Sequence, residues 1–286
     1  MLGRRPATSH PRLVDRTQRH EYFNAYLDKG IHGIGFSAYE EGQKPGDELT
    51  LKQVQRRMAI LKPSIKWIRS FSCIQGNDLI PIVAKRMGIK TLVGAWLGDD
   101  LEKNEQEIEG LIKLAKDGYV DIAAVGNEVM YHKDLTEEQL LGYIQRVKDA
   151  VPGVLVGYVD AYYDFEDRPA ITEICDVVLA NCYPFWEGCA IEYSLLYMKD
   201  MFRRTQKVAG DKKVIITETG WPNRGQIFHG AEPSQENAIR YFLNTQQWGQ
   251  ADDIDIFYFS SFDESWKVGT EGDVGAFWGL WDKDEQ

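Results

Sequence analysis

Lys213-Val214-Ile215-Ile216-Thr217-Glu218-Thr219-Gly220-Trp221-Pro222 is a short β-branched run that stops at a glutamate and is closed by a Gly-Trp-Pro turn. Its apolar part is too short for a helix and shows no alternation, so it reads as a parallel strand buried on both faces. Seven further runs have the same character: Ile31–Phe36, Ile65–Phe71, Ile89–Ala95, Asp121–Val125, Val154–Val159, Asp176–Asn181 and Ile254–Phe259. Successive runs start 22 to 41 residues apart, enough each time for one strand and one helix.

Amphipathic stretches fill the intervals. Leu51, Val54, Met58 and Leu61 share a helical face after Thr50, and Leu79, Ile82, Val83 and Met87 do so after Asp78. Ile108, Leu111, Ile112 and Ala115 predict a helix from a capping Asn104 to Lys116. Thr136 with Gln139 forms a capping-box pattern, Pro169 fits the first turn of a short helix, and Tyr193–Val208 and Ser234–Trp248 complete the set. Eight strand–helix units predict an α/β fold, a single-domain (β/α)8 barrel of the TIM type over residues 31–286, preceded by an N-terminal arm over 1–30. The competing arrangement, a doubly wound sheet, lacks the GxGxxG turn expected after its first strand.

The 286 residues carry 33 Lys+Arg against 44 Asp+Glu, a formal charge of −11, with no basic patch to override it. Such a field repels phosphate backbones and anionic headgroups, so no nucleic-acid and no membrane partner is expected. No apolar run approaches the roughly 18 residues of a membrane span. No signal peptide is visible either, because Met1–Pro6 is followed by no apolar stretch. The five histidines are scattered and Cys73, Cys175, Cys182 and Cys189 lack metal-ligand spacing, so neither a metal nor a cofactor is expected. Three of the cysteines lie close enough in sequence for a disulfide, and buried free thiols are the commoner outcome. Aromatics make up 12% of the chain, more than a core requires, which leaves some to line a groove for flat ligands such as sugars.

In such a barrel the site lies at the C-terminal strand ends. The fourth strand runs out in Val125-Gly126-Asn127-Glu128-Val129, and the seventh in Thr217-Glu218. Two carboxylates facing one mouth suit glycoside hydrolysis, in which one donates a proton to the leaving oxygen and the other attacks the anomeric carbon. The sixth strand ends in Tyr183-Pro184-Phe185-Trp186-Glu187-Gly188, and the eighth in Phe262-Asp263-Glu264-Ser265-Trp266-Lys267. The adjacent Trp186 and Glu187 cannot both face a dry core. A structural Glu264–Lys267 ion pair remains an alternative to a role at the site.

These motifs, with Gly94-Ala95-Trp96-Leu97, resemble glycoside hydrolase family 17, whose members act on β-1,3-glucans, from about Gly33 to Trp281. The resemblance implies Glu128 as acid/base, Glu218 as nucleophile and Asn127 holding the sugar 2-hydroxyl. It further implies Lys267 supporting the charge of Glu218, Glu264 orienting sugar, Tyr183 bonding to Glu218, and Trp186 and Glu187 shaping the acceptor side. Trp221 is expected as a second aromatic platform and Phe262 as a further substrate-binding residue. The short sixth loop resembles the compact bacterial and fungal branch, which includes β-1,3-glucanosyltransferases. The implied function is retaining hydrolysis or transfer of a β-1,3-glucan such as laminarin, with a secreted or cell-envelope location. A non-catalytic glucan-binding barrel is the other reading, and it has no need for both glutamates.

Overall fold

The computed structural model describes residues 15–269 and 271–286. Its strands are β1 (Ile31–Gly35), β2 (Ile65–Ser70), β3 (Lys90–Ala95), β4 (Ile122–Asn127), β5 (Leu155–Ala161), β6 (Val177–Asn181), β7 (Val214–Thr219) and β8 (Ile256–Tyr258). They pair in parallel in chain order, and β8 returns to β1 through Gly33 opposite Phe257 and Ile34 opposite Tyr258, which closes the barrel. Gly33 is required there, because a Cβ would lie 2.7 Å from the Phe257 ring.

Alternation along the strands divides the core. Leu92, Ile122, Ala124, Val159, Val177, Leu179, Ile215 and Phe257 pack together with Trp67, while separate clusters join the strands to the helices. The interior is therefore filled, and a ligand has access only at a mouth.

The helices are α1 (Arg16–Lys29), α2 (Leu51–Leu61), α3 (Leu79–Arg86), α4 (Leu101–Lys116), α5 (Val129–His132), α6 (Glu137–Ala150), α7 (Pro169–Ile174), α8 (Ser194–Ala209) and α9 (Gln235–Ala251). Thr50 with Gln53 and Thr136 with Gln139 close full capping boxes on α2 and α6. Loss of either threonine side chain costs about 1 kcal/mol. Helix α4 starts three residues before the expected Asn104, because Asp100 supplies the cap by accepting from the Lys103 amide at 3.1 Å. Asn104 is instead buried, exchanging bonds of 2.9 and 2.8 Å with the Gly98 backbone.

Within the expected arm, residues 16–29 form helix α1, which lies on α9 through Phe23 and Phe242, 4.8 Å between ring centres, and an Arg19–Glu236 ion pair of 2.7 Å. Residues 1–14 of that arm lie outside the described residues. All four cysteines are buried free thiols, so the disulfide option is not taken. Among the described residues no helix is long and apolar enough to cross a membrane.

Candidate active site

Strand register slips at three C-terminal ends: between Ala124 and Asn127 on β4, Ala180 and Asn181 on β6, and Ile216 and Thr219 on β7. A bulge re-aims the side chains that follow it, and these are the strands that carry Asn127, Glu128, Asn181 and Glu218. All four line a cavity of about 970 Å³ at this mouth.

A continuous polar network joins them. Arg69, from β2, lies 2.6 Å from Glu218 Oε1 through one terminal nitrogen, and with the other it donates to Asn127 Oδ1 at 2.8 Å. Tyr183 donates its hydroxyl to Glu218 Oε2 at 3.1 Å. The Asn181 amide donates to Glu128 Oε1 at 3.0 Å while its carbonyl accepts from Thr217 at 2.9 Å, which fixes the orientation of the amide. His132 Nε2 lies 3.4 Å from Glu128 Oε2.

The two glutamates thus sit in different surroundings. Glu218 is almost wholly buried against a guanidinium and a phenol. Burial pushes the Glu128 carboxyl above the usual carboxylate range and the charge of Glu218 adds to the rise, against the bond from Asn181 and the charges of His132 and Arg69. Burial also pushes the Tyr183 phenol up, so it remains a donor. A Glu218→Gln variant removes one cause of the Glu128 shift, so Glu128 should titrate at a lower pH there than in the parent. Carbon-13 NMR of the carboxyl groups checks this, and an unmoved titration would refute the coupling.

Tyr183, Trp186, Glu187, Glu264 and Lys267 also line the cavity. Glu187 accepts from Tyr162 at 2.6 Å. Lys267 differs from expectation. Its ammonium lies 4.1 Å from the Phe259 ring centre and 4.0 Å from Glu264, and the cation in contact with Glu218 is Arg69.

Trp221 and Phe262 do not reach the cavity. Trp221 is 2% exposed between Phe185 and Tyr241, its indole donating to the Glu232 carbonyl at 2.9 Å. Phe262 is fully buried beneath the Arg57 guanidinium, 4.5 Å from its ring centre. Strand-end position brought both to notice, but the direction in which they leave the strand end turns them into the core.

Several residues in or behind the site were given no role from the sequence. Arg69 carried a signal, a charge inside an apolar strand that needs a buried partner. Glu107, buried on α4, accepts from the Ser72 hydroxyl, the Cys73 amide at 2.8 Å and the Trp96 amide at 3.1 Å, so it ties together the loops after β2 and β3. Burial pushes its carboxyl up to about 7 despite those donors. Trp96, Tyr131 and Tyr163 line the cavity and are 40–51% exposed. Among the described residues no group of three or more His, Cys, Asp or Glu is arranged to hold a metal ion.

An Arg69→Met variant loses two charge-assisted bonds, of which each contributes about 1.5–3 kcal/mol. The expected cost is on the order of 10²-fold or more in kcat/KM, with about 3 kcal/mol or more lost in stability because a buried carboxylate is left without its cation. Initial rates and thermal unfolding read the two effects, and unchanged rates would contradict the role.

A closed (β/α)8 barrel with paired glutamates at the ends of β4 and β7 defines the class, a glycosidase or glycosyltransferring barrel enzyme. The chain belongs to the BtgE/BtgC glycoside hydrolase family, whose domain matches residues 33–279. It is 28% identical to a glucan 1,3-beta-glucosidase of Candida albicans over 89% of this chain and 92% of that one. A glucan 1,3-beta-glucosidase of Saccharomyces cerevisiae is 26% identical, covering 87% and 88%. Among solved structures, the family 17 beta-1,3-glucanosyltransferase of Rhizomucor miehei superposes with a TM-score of 0.81 at 26% identity, over 91% of this chain and 96% of that one. The family 17 resemblance drawn from the motifs is borne out.

Proposed function

We propose that the protein is a retaining enzyme of β-1,3-glucan, with Glu218 as nucleophile and Glu128 as acid/base. The observation that carries this reading is the contrast between the two carboxyls: Glu128 is held toward its protonated form by burial and by Glu218, whereas Glu218 faces the Arg69 guanidinium. In the first step Glu218 attacks the anomeric carbon, the glycosidic bond breaks, and the Glu128 proton passes to the departing oxygen. The product is a glycosyl ester on Glu218 and a carboxylate at Glu128. In the second step that carboxylate takes a proton from the incoming hydroxyl as its oxygen displaces Glu218, which restores both groups.

Asn127 stands beside Glu128 with its carbonyl engaged by Arg69, leaving its amide hydrogens for the sugar 2-hydroxyl. Beyond Glu128 the wall is aromatic. Tyr131 and Tyr163 are 6.5 Å apart, Tyr163 and Tyr162 are 5.2 Å apart, and Tyr162 bonds to Glu187 beside Trp186. A sugar oriented on such a wall reaches a high effective molarity, so the acceptor at elevated oligosaccharide concentration is a second glucan chain as well as water. A substrate of this kind fits a location outside the cell or at its envelope.

The test is a mass-resolved time course on laminaripentaose at low and high concentration. Shorter products at low concentration together with chains longer than the substrate at high concentration are expected. Shorter products alone at every concentration would remove transfer from the reading, and no reaction on β-1,3-linkages would overturn it.

A further inference from the structure

Glu128 sits in a conformation that its own residue type does not favour. Its φ is 53° and that of Gly126 is 89°, at the point where β4 leaves its ladder with β5. A left-handed non-glycine residue costs about 1 kcal/mol or more and persists only where its surroundings over-determine it. Part of the support is backbone: the Glu128 amide donates to Val159 O at 2.8 Å and the His132 amide to Glu128 O at 2.9 Å.

Further support comes from a side chain of β5. The Tyr158 ring lies against Gly126, where a Cβ would be 3.4 Å from Cε2, and the Tyr158 hydroxyl oxygen accepts from the Met130 amide at 2.9 Å. Tyr158 therefore grips the chain on both sides of Glu128. The Met130 amide lies in the first turn of the four-residue α5 and has no carbonyl partner within it. A hydroxyl can accept there only if its hydrogen points elsewhere, and Asp160 fixes this by accepting that hydrogen on Oδ2. The other Asp160 oxygen accepts from the Ala161 amide at 2.7 Å. Tyr158 and Asp160 are essentially inaccessible to solvent, and neither lines the cavity.

We propose that Tyr158, its hydroxyl oriented by Asp160, is the positioning residue that holds Glu128 at the angle from which it delivers its proton to the departing oxygen. The inference rests on Glu128 being the acid/base. Tyr158 touches no substrate and acts only through residues 126–130.

The test compares two substrates in the full chain, laminaritetraose and 2,4-dinitrophenyl β-laminaribioside, whose leaving group departs without a proton. Tyr158→Phe keeps the ring and loses only the hydroxyl. Its kcat/KM on laminaritetraose should fall roughly 10- to 100-fold, the loss typical of a misplaced catalytic group, while the aryl substrate changes by less than about threefold. Asp160→Ala should show the same split. An equal loss on both substrates, or no loss on either, in Tyr158→Phe overturns the proposal. Glu128→Gln is the reference. If it too loses both substrates equally, the acid assignment itself fails and takes the proposal with it. If Glu128→Gln shows the split and Tyr158→Phe does not, the positioning role alone is wrong.

Discussion

A Glu218→Gly variant is expected to lose on the order of 10⁵-fold or more in kcat, the scale seen when a covalent nucleophile is removed. Removing the carboxylate leaves the buried Arg69 without its anion, at a cost of about 3 kcal/mol or more, but the fold should survive because Arg69 keeps its bond to Asn127 and barrel closure runs through the strand ladder. Azide should restore turnover of an activated aryl β-laminaribioside, since it fits the space left by the carboxylate. It attacks the anomeric carbon directly, so the product is the α-glycosyl azide, formed with one inversion. Proton NMR of the azide product reads the configuration. A β-azide, or no rescue in a folded variant, would contradict Glu218 as nucleophile.

Removing Glu128 should behave differently. A Glu128→Ala variant is expected to lose roughly 10²- to 10⁴-fold on glucan, the range for general acid catalysis, and much less on an activated aryl glycoside. The glycosyl ester on Glu218 still forms, so azide in this variant intercepts it from the opposite face and yields the β-azide. Opposite azide configurations from the two variants would distinguish the roles without reference to any relative. If both variants gave the same anomer, the division of labour between β4 and β7 would be wrong.

Most strands were legible because they are short, largely apolar runs without alternation, the pattern expected of strands buried on both faces of a parallel sheet. The start of α4 was misplaced because Asp100 and Asn104 both have capping side chains, and only the tertiary contact of Asn104 with Gly98 decides between them. At the site, Glu128, Glu218 and Tyr183 stood out as polar residues at strand ends. Arg69 did not, because β2 continues past it to Ser70 and its role depends on where the interior of the barrel turns a side chain. Trp221 and Phe262 show the converse: adjacency to a strand end at the mouth says nothing about which way the chain bends next. The support of Glu128 by Tyr158 was beyond the sequence, because the two residues are 30 positions apart and meet only through the β4–β5 register slip.

In the proposed retaining mechanism hydrolysis and transfer share one covalent intermediate, and trapping it is the most direct test. The protein would be incubated with 2,4-dinitrophenyl 2-deoxy-2-fluoro-β-laminaribioside, which slows both steps but leaves the first one able to proceed, and then digested and sequenced by mass spectrometry. Stoichiometric labelling of the peptide that contains Glu218 is expected, with the sugar on that residue. A label on Glu128, or no covalent adduct from an enzyme that turns over the parent laminaribioside, would contradict the mechanism.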